Sequence, residues 1–221
     1  MNIAMRLFLV GIMLAGASSL GVAPIMAGCK DKPLLLQKAA DGTLSEKESK
    51  RLNRAMKWWL QQVDDYANER DSYLAFAAQP QPDSTELSQR KEVFFYESVS
   101  HLQFGVEAYA SLNDGMYPYS VGALVCSGMM EELPVNPFTE GPLQEMGLTS
   151  LASGEYSGVA YVPQYVRVDG KALVVGYWLL AVSPEIHRAE AVDTADPAEP
   201  LPGNWPLPPD AVLILESHPA E

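Results

Sequence analysis

The stretch that decides the fold is His101–Thr139, HLQFGVEAYASLNDGMYPYSVGALVCSGMMEELPVNPFT. It continues a helix that we expect to begin at Asp83, with apolar residues at three- and four-residue steps on one face: Phe95, Val99, Leu102, Val106 and Tyr109. Asn113-Asp114-Gly115 predicts a stop near Leu112, because these residue types tolerate the left-handed conformation that closes a helix. Pro118 prevents the helix from resuming. A long connection follows.

Beyond that connection, the apolar period changes from that of a helix to two, starting at Tyr156. Asp169-Gly170 lies between two apolar runs and predicts a tight hairpin turn. The outgoing run Ala172–Val182 is apolar nearly throughout, so we expect it to be covered on both faces or to lie centrally in the sheet. Ala211–Leu215 is a short strand candidate for the sheet edge. The sequence therefore predicts an α+β fold, with a long helix packed on a small antiparallel sheet.

An additional amphipathic helix is expected before this unit. Thr43 and Glu46 form a capping-box pattern, and apolar residues recur at helical spacing from there to about Ala78. Trp58 and Trp59 are adjacent, so on a helix they point about 100° apart. Two interpretations follow: one tryptophan in the core with the other at its rim, or a surface on which a partner docks. Both residues are therefore candidates for an interaction surface.

The order of these features resembles the periplasmic domain of type II secretion pseudopilins and related type IV pilin-like proteins. In that family a helix ends in a D-N-G-x-Y-P-like turn, and an L-P-x-N-P-W/F-T-like turn precedes an antiparallel sheet. The matching residues here are Ala108, Tyr109, Asp114, Gly115, Tyr117, Pro118, Leu133, Pro134, Asn136, Pro137 and Thr139. The resemblance covers roughly residues 90–182 and implies a role linked to a secretion or pilus system. The leader and assembly helix of pilins find no match here, so we expect no filament subunit.

The N-terminal sequence predicts export. Arg6 is the only charge before the apolar run Leu7–Ala27, and Gly28-Cys29 follows. This order resembles a bacterial lipoprotein signal, which implies acylation of Cys29 and attachment to a membrane of the cell envelope through lipid. Lys30 favours the outer membrane by resemblance to enterobacterial sorting. Two alternatives are cleavage after Ala27 without lipid and an uncut anchor, since about 20 apolar residues can span a bilayer.

The domain organisation follows from these features. The predicted segments are a signal peptide at 1–28, a tether at 29–42, the amphipathic helix at 43–80, a pilin-like α+β domain at 83–184, and an acidic proline-rich tail at 185–221 with an edge strand at 211–215.

Whether the two cysteines are free, acylated or disulfide-bonded depends on how the N-terminus is processed. If Cys29 is acylated, Cys126 is a lone cysteine among apolar neighbours, and we expect a buried free thiol. If Cys29 is not acylated, a Cys29–Cys126 disulfide can form. We favour the buried thiol.

Composition and motifs exclude several functions. The formal net charge of −13 disfavours nucleic acid, which requires clustered lysine and arginine. No histidine pair has metal-ligand spacing, and Asp193 with Asp196 is too weak a pattern to predict calcium. We therefore predict no enzyme, cofactor or small-molecule substrate, but a module that binds or assembles with envelope proteins. One alternative is a hydrolase using dispersed residues such as His101, Ser157 and Asp169. Another is a minor pseudopilin that keeps its N-terminal helix.

Overall fold

A computed structural model describes residues 32–80, 83–147 and 158–182, together with the backbone of a strand at 213–216. The fold is α+β, as expected. The helices are α1 (Leu34–Ala40), α2 (Glu46–Ala77), α3 (Ser84–Leu112) and α4 (Gly122–Cys126). The strands are β1 (Val135–Asn136), β2 (Gly141–Pro142), β3 (Gly158–Val168), β4 (Lys171–Val182) and β5 (Leu213–Glu216).

Helix α2 begins two residues later than predicted. Its N-cap is Ser45, whose hydroxyl accepts the N–H of Glu48, while the Glu48 carboxylate accepts the N–H of Ser45. This pair, and not Thr43 with Glu46, forms the capping box. The hydroxyl of Thr43 instead donates to the carbonyl of Lys38 over 3.3 Å. The Lys38 ammonium binds Glu48, and together these contacts lower the pKa of the Glu48 carboxyl to about 2.

Helix α3 begins and ends as predicted. The Asp83 carboxylate caps it by accepting two backbone N–H groups, at 2.9 and 3.0 Å. After the helix, Asp114 and Gly115 both have positive φ, 55° and 82°. The Gly115 N–H donates to the carbonyl of Ala110 over 2.9 Å, which satisfies one of the last carbonyls of the helix.

Helix α3 is buried on two adjoining faces, which lie about 100° apart on the helix. The face predicted from the sequence is fully confirmed, since Phe95, Val99, Leu102, Val106 and Tyr109 lie in the main core with β3 and β4. A second buried face, spaced at alternating steps of four and three, lies along the antiparallel helix α2. Its members are Phe94, Ser98, His101, Gly105, Ala108 and Leu112. The long helix therefore packs against both α2 and the sheet, and Trp59 of α2 lies in the same core as side chains of β3 and β4.

The sheet has the order β3-β4-β5, and both pairings are antiparallel. The hairpin turn is confirmed: Asp169 and Gly170 have φ values of 50° and 76°, the signature of the turn that such sequences favour. Strand β4 is central, as its apolar run predicted. Pairing shifts where Tyr165 lies opposite Val174, so Val175 is an extra residue in β4.

The prediction of a tether at residues 29–42 is partly wrong. Helix α1 occupies residues 34–40, and Leu35 is buried against Leu52 and Leu112. The N–H of Leu34 also donates to the side-chain carbonyl of Asn113 over 3.1 Å. An apolar Leu-Leu-Leu run can dock on the end of a helix, so this stretch is held in the core.

Several predicted features lie outside the described residues: the signal segment, Cys29, Ser157, and most of the acidic tail with Asp193 and Asp196. Within the residues that are described, no helix is both long enough and apolar enough to cross a membrane.

Candidate interaction surfaces

The two adjacent tryptophans have different surroundings. Trp59 is 2% exposed, and its indole N–H donates to the carbonyl of Met129 over 3.2 Å. Trp58 is 39% exposed and meets Phe104 edge-on, with ring centroids 5.9 Å apart. The packing of α3 against α2 buries Trp59, so Trp59 cannot belong to the docking surface predicted from the sequence. Trp58 lies at the rim, where Phe104 extends the exposed aromatic area.

Five rings stack in one column between α2 and α3, which we call the aromatic column. Neighbouring centroids are separated by 5.1, 4.3, 5.9 and 4.5 Å in the order Trp59, His101, Tyr66, Phe94 and Tyr73. The members on α2 recur every seven residues, as do those on α3, so they follow one seam of the helix pair. The column is packing between helices, and its central ring, Tyr66, is partly buried.

His101 lies inside this column. It is 7% exposed, and burial lowers the pKa of its imidazole to about 4. Its Nδ1 has no hydrogen-bond partner. His101 is therefore a packed histidine between the two helices. Asp169 lies in the exposed hairpin turn, so the structure does not bring these two residues of the hydrolase alternative together.

Tyrosine hydroxyls attach the sheet to α3. The hydroxyl of Tyr177 donates to Glu107 over 2.8 Å, and that of Tyr117 donates to the same carboxylate over 3.3 Å. The hydroxyl of Tyr161 donates to the carbonyl of Pro118 over 2.8 Å. Burial raises the pKa of both Tyr161 and Tyr177 well above the ordinary value. These hydroxyls therefore act as neutral structural donors.

Cys126 is not the free buried thiol that the sequence favoured. It is disulfide-bonded and only partly buried, at the end of α4. The chain contains one other cysteine, Cys29, which lies outside the described residues. The prediction of a buried thiol rested on the apolar sequence neighbours of Cys126. Whether its sulfur forms a disulfide depends instead on which cysteine the fold brings near it.

Of the ten exposed large hydrophobic residues in the described part of the chain, five lie at the distal part of the β3–β4 hairpin. We call residues 164–175 together with Tyr119 the hairpin end. Tyr165 is 54% exposed and Tyr119 is 52% exposed, and their rings stack at 6.2 Å. The Tyr119 hydroxyl donates to the carbonyl of Ala172 over 2.9 Å, which fixes this ring on the hairpin. Three further exposed apolar residues belong to the hairpin end: Val166, Val168 and Val175.

Sequence reasoning missed the hairpin end as a candidate site. Its signal was present, because apolar alternation continues up to Asp169-Gly170 while no predicted element was available to cover it. Large exposed apolar areas on a folded protein often mark interaction sites.

A second candidate is an open groove of about 420 Å³ between α2 and α3. Its floor contains Tyr73 and Phe94, and its walls carry Glu69, Glu86 and Glu97. Arg90 crosses this region, pairing with Glu86 at 3.1 Å and covering the ring of Phe76 at 4.0 Å. The groove is acidic, and Val93, which also lines it, is 61% exposed.

The described part of the chain contains no group of three or more histidine, cysteine, aspartate or glutamate side chains arranged to hold a metal ion. Comparison of the chain with models of protein families, with curated proteins and with solved structures gives no match.

Proposed function

We propose that this protein is an exported, non-enzymatic module of the bacterial cell envelope that binds another protein through its hairpin end. The observation that carries the proposal is the cluster of exposed apolar side chains around Tyr165 and Tyr119. Their burial by a partner would be favourable, at roughly 25 cal/mol for each Å² removed from water. Aromatic residues are also enriched where proteins bind one another.

The pilin-like domain is the second part of the proposal. Its support is the resemblance in the sequence together with the order of α3, a left-handed stop, a looped connection and an antiparallel hairpin. The proposed setting is a secretion or pilus system. One face of α3 is covered by α2 and is therefore not available for contacts with neighbouring subunits. This packing favours an accessory or assembly role over that of a filament subunit.

Attachment to the envelope depends on the sulfur of Cys29. A lipid thioether and a disulfide require the same sulfur atom, so one excludes the other. The disulfide of Cys126 supports a Cys29–Cys126 pair, because Cys29 is the only other cysteine. That pair fits export with cleavage after Ala27 into an oxidising compartment. Lipidation of Cys29 is the alternative, and it requires a free Cys126.

Site-specific crosslinking in intact cells tests the binding surface. A photoreactive amino acid at Val166 is expected to give a discrete adduct with an envelope protein. The same group at Lys57, which is exposed on α2, serves as the matched control. The adduct should disappear when Tyr119 and Tyr165 are changed to alanine. Equal labelling from both positions, or an adduct indifferent to the tyrosines, would contradict the proposal.

Intact-mass analysis of the protein isolated from membranes and periplasm tests the attachment. We expect Gly28 at the N-terminus and two thiols that can be alkylated only after reduction. A diacylglycerol on Cys29 would establish the lipid-anchored alternative instead. An intact Met1 would support the uncut anchor.

A further inference from the structure

Among the described residues, the outer edge of β3 has a partner only near its beginning. There the N–H of Val159 donates to the carbonyl of Gln144 over 3.1 Å, and its carbonyl accepts the N–H of Met146 over 2.7 Å. Successive residues of a strand turn their backbone groups to opposite sides. The odd-numbered residues of β3 therefore direct N–H and C=O toward this edge. In the described residues, the edge has no strand partner after the bridge at Val159.

Pro163 divides this edge into two parts. Proline has no N–H, and it is tolerated in a sheet at positions that face outward from an edge strand. The covered part lies before Pro163. After it, Tyr165 and Arg167 each offer one N–H and one C=O in an outward direction. The hairpin end thus contains a short edge, from Tyr165 to the turn, that no described residue covers, and we call it the free edge.

Each face of the hairpin carries an exposed apolar side chain beside this free edge, and one face also carries Arg167. Tyr165 and Arg167 share the face on which Tyr119 stacks. Val166 and Val168 are exposed on the opposite face. A strand added here would gain apolar contacts as well as backbone hydrogen bonds, which is how sheet edges recognise extended peptides.

The charge at the hairpin end is opposite to that of the protein. The chain has a formal net charge of −13. The hairpin end, however, contains Arg167 and Lys171 and one acidic residue, Asp169, and neither cation makes a salt bridge with any described residue. An acidic segment would be attracted to this end, whereas a basic one would be drawn to other surfaces of the molecule.

The geometry points to a specific occupant. An extended segment of the partner protein adds as a strand to β3 at Tyr165–Val168, with acidic residues beside Arg167 and apolar residues beside Val166 and Val168. The inference rests on the proposed function and names the chemistry of the partner. Alternation of the two residue types follows from the two faces of the hairpin.

A model peptide tests the side-chain part of this inference. The probe is a fluorescein-labelled peptide of about seven alternating valine and glutamate residues, the length of a typical strand. The control peptide carries lysine in place of glutamate. The mature chain with its disulfide intact should bind the first peptide and not the second. Arg167→Glu should weaken binding by about tenfold, and high salt should weaken it as well.

A pair of substitutions at one position tests the backbone part. Arg167→Ala keeps the outward N–H, whereas Arg167→Pro removes it and leaves the ladder with β4 intact. We expect the proline variant to bind the glutamate peptide about tenfold more weakly than the alanine variant, since one hydrogen bond is lost. Thermal unfolding of both variants verifies that the fold is retained. Equal affinities would overturn strand addition.

The outcomes separate this inference from the proposed function. If crosslinking at Val166 succeeds but the two Arg167 variants bind the peptide equally, strand addition fails and the binding module stands. If crosslinking also fails, both proposals fall. Binding to phosphatidylglycerol vesicles that is lost in Val168→Asp would assign the hairpin end to a membrane. Dimerisation of the purified chain that is lost in Arg167→Pro would assign it to a second copy. Either result would overturn the proposal that an acidic segment of a partner protein adds to β3 as a strand.

Discussion

The imidazole ring of His101 lies 4.3 Å from the phenol ring of Tyr66, and the two planes differ by only 5°. Trp59 covers the opposite face of the imidazole at 5.1 Å. Both faces of a titratable ring are thus in contact with aromatic carbon. A proton on this ring would be poorly solvated, which explains why burial lowers the pKa of His101 to about 4.

Stability should therefore depend on pH through His101. The unfolded chain binds the proton more tightly, because its imidazole has the ordinary pKa of 6.5. The free energy of unfolding is highest above that pH, decreases as the pH falls, and levels off below about 4. The total loss from this residue is about 3 kcal/mol.

Urea unfolding of the wild type and His101→Phe at a series of pH values measures this effect. Phenylalanine retains the stacking but has no titrating nitrogen. The difference between the two proteins should therefore grow from pH 6.5 toward pH 4, the interval set by the two pKa values. Parallel curves across that interval would show that His101 does not titrate as proposed.

The capping box of α2 gives a second prediction. Ser45→Ala removes the hydroxyl that accepts the Glu48 N–H, and it should lower the free energy of unfolding by about 1 kcal/mol. Thr43→Ala is the matched control, because the Thr43 hydroxyl makes only one exposed contact. Chemical denaturation at neutral pH measures both. A larger loss in the threonine variant would mean that the helix begins where the sequence pattern first suggested.

Gly105 gives a third prediction because it lets α3 approach its neighbours closely. A Cβ at this position would be 2.4 Å from Cε of Met130 and 3.4 Å from the ring of Trp59. Gly105→Val should therefore be destabilising by about 2 kcal/mol through overpacking. Gly122→Ala is the control, since its nearest neighbour would be the Ser120 hydroxyl at 3.6 Å. Thermal unfolding should separate the two variants, and a valine variant as stable as the wild type would contradict the close packing.

The hairpin turn gives a fourth prediction. Gly170 has a φ of 76°, and no atom would lie within 4 Å of a Cβ there. Gly170→Ala should therefore lower the free energy of unfolding by about 1 kcal/mol through backbone strain alone. Asp169→Asn should be nearly neutral, because asparagine also tolerates the left-handed region. Equal effects in urea unfolding would indicate a different turn.

The sequence was sufficient for those parts of the fold that repeat an apolar pattern. The sheet-facing side of α3, its stop at Asn113 and the turn at Asp169-Gly170 were all predicted and confirmed. The second buried face of α3 was not predicted. It contains Ser98 and Gly105, which carry no hydrophobic signal, and their burial follows only from the shape of the rings on α2.

The candidate site was harder to predict than the fold. The residues approaching the hairpin turn have the composition of a core strand, and exposure depends on which other elements cover them. Trp59 shows the reverse case, since its burial requires α3 to lie across it. The bonded state of Cys126 likewise depends on distance in space, which spacing along the chain does not specify.

The packing of α3 against both α2 and the sheet also decides whether the chain can be divided into smaller folding units. The indole of Trp59 binds the carbonyl of Met129, and the hydroxyl of Tyr66 accepts the N–H of Val135 over 2.8 Å. Both links join α2 to the connection that follows α3. A fragment beginning at residue 83 would leave Phe94 and Leu112 without cover. The amphipathic helix is accordingly an integral part of the folding unit, and we expect a fragment that lacks it not to fold by itself.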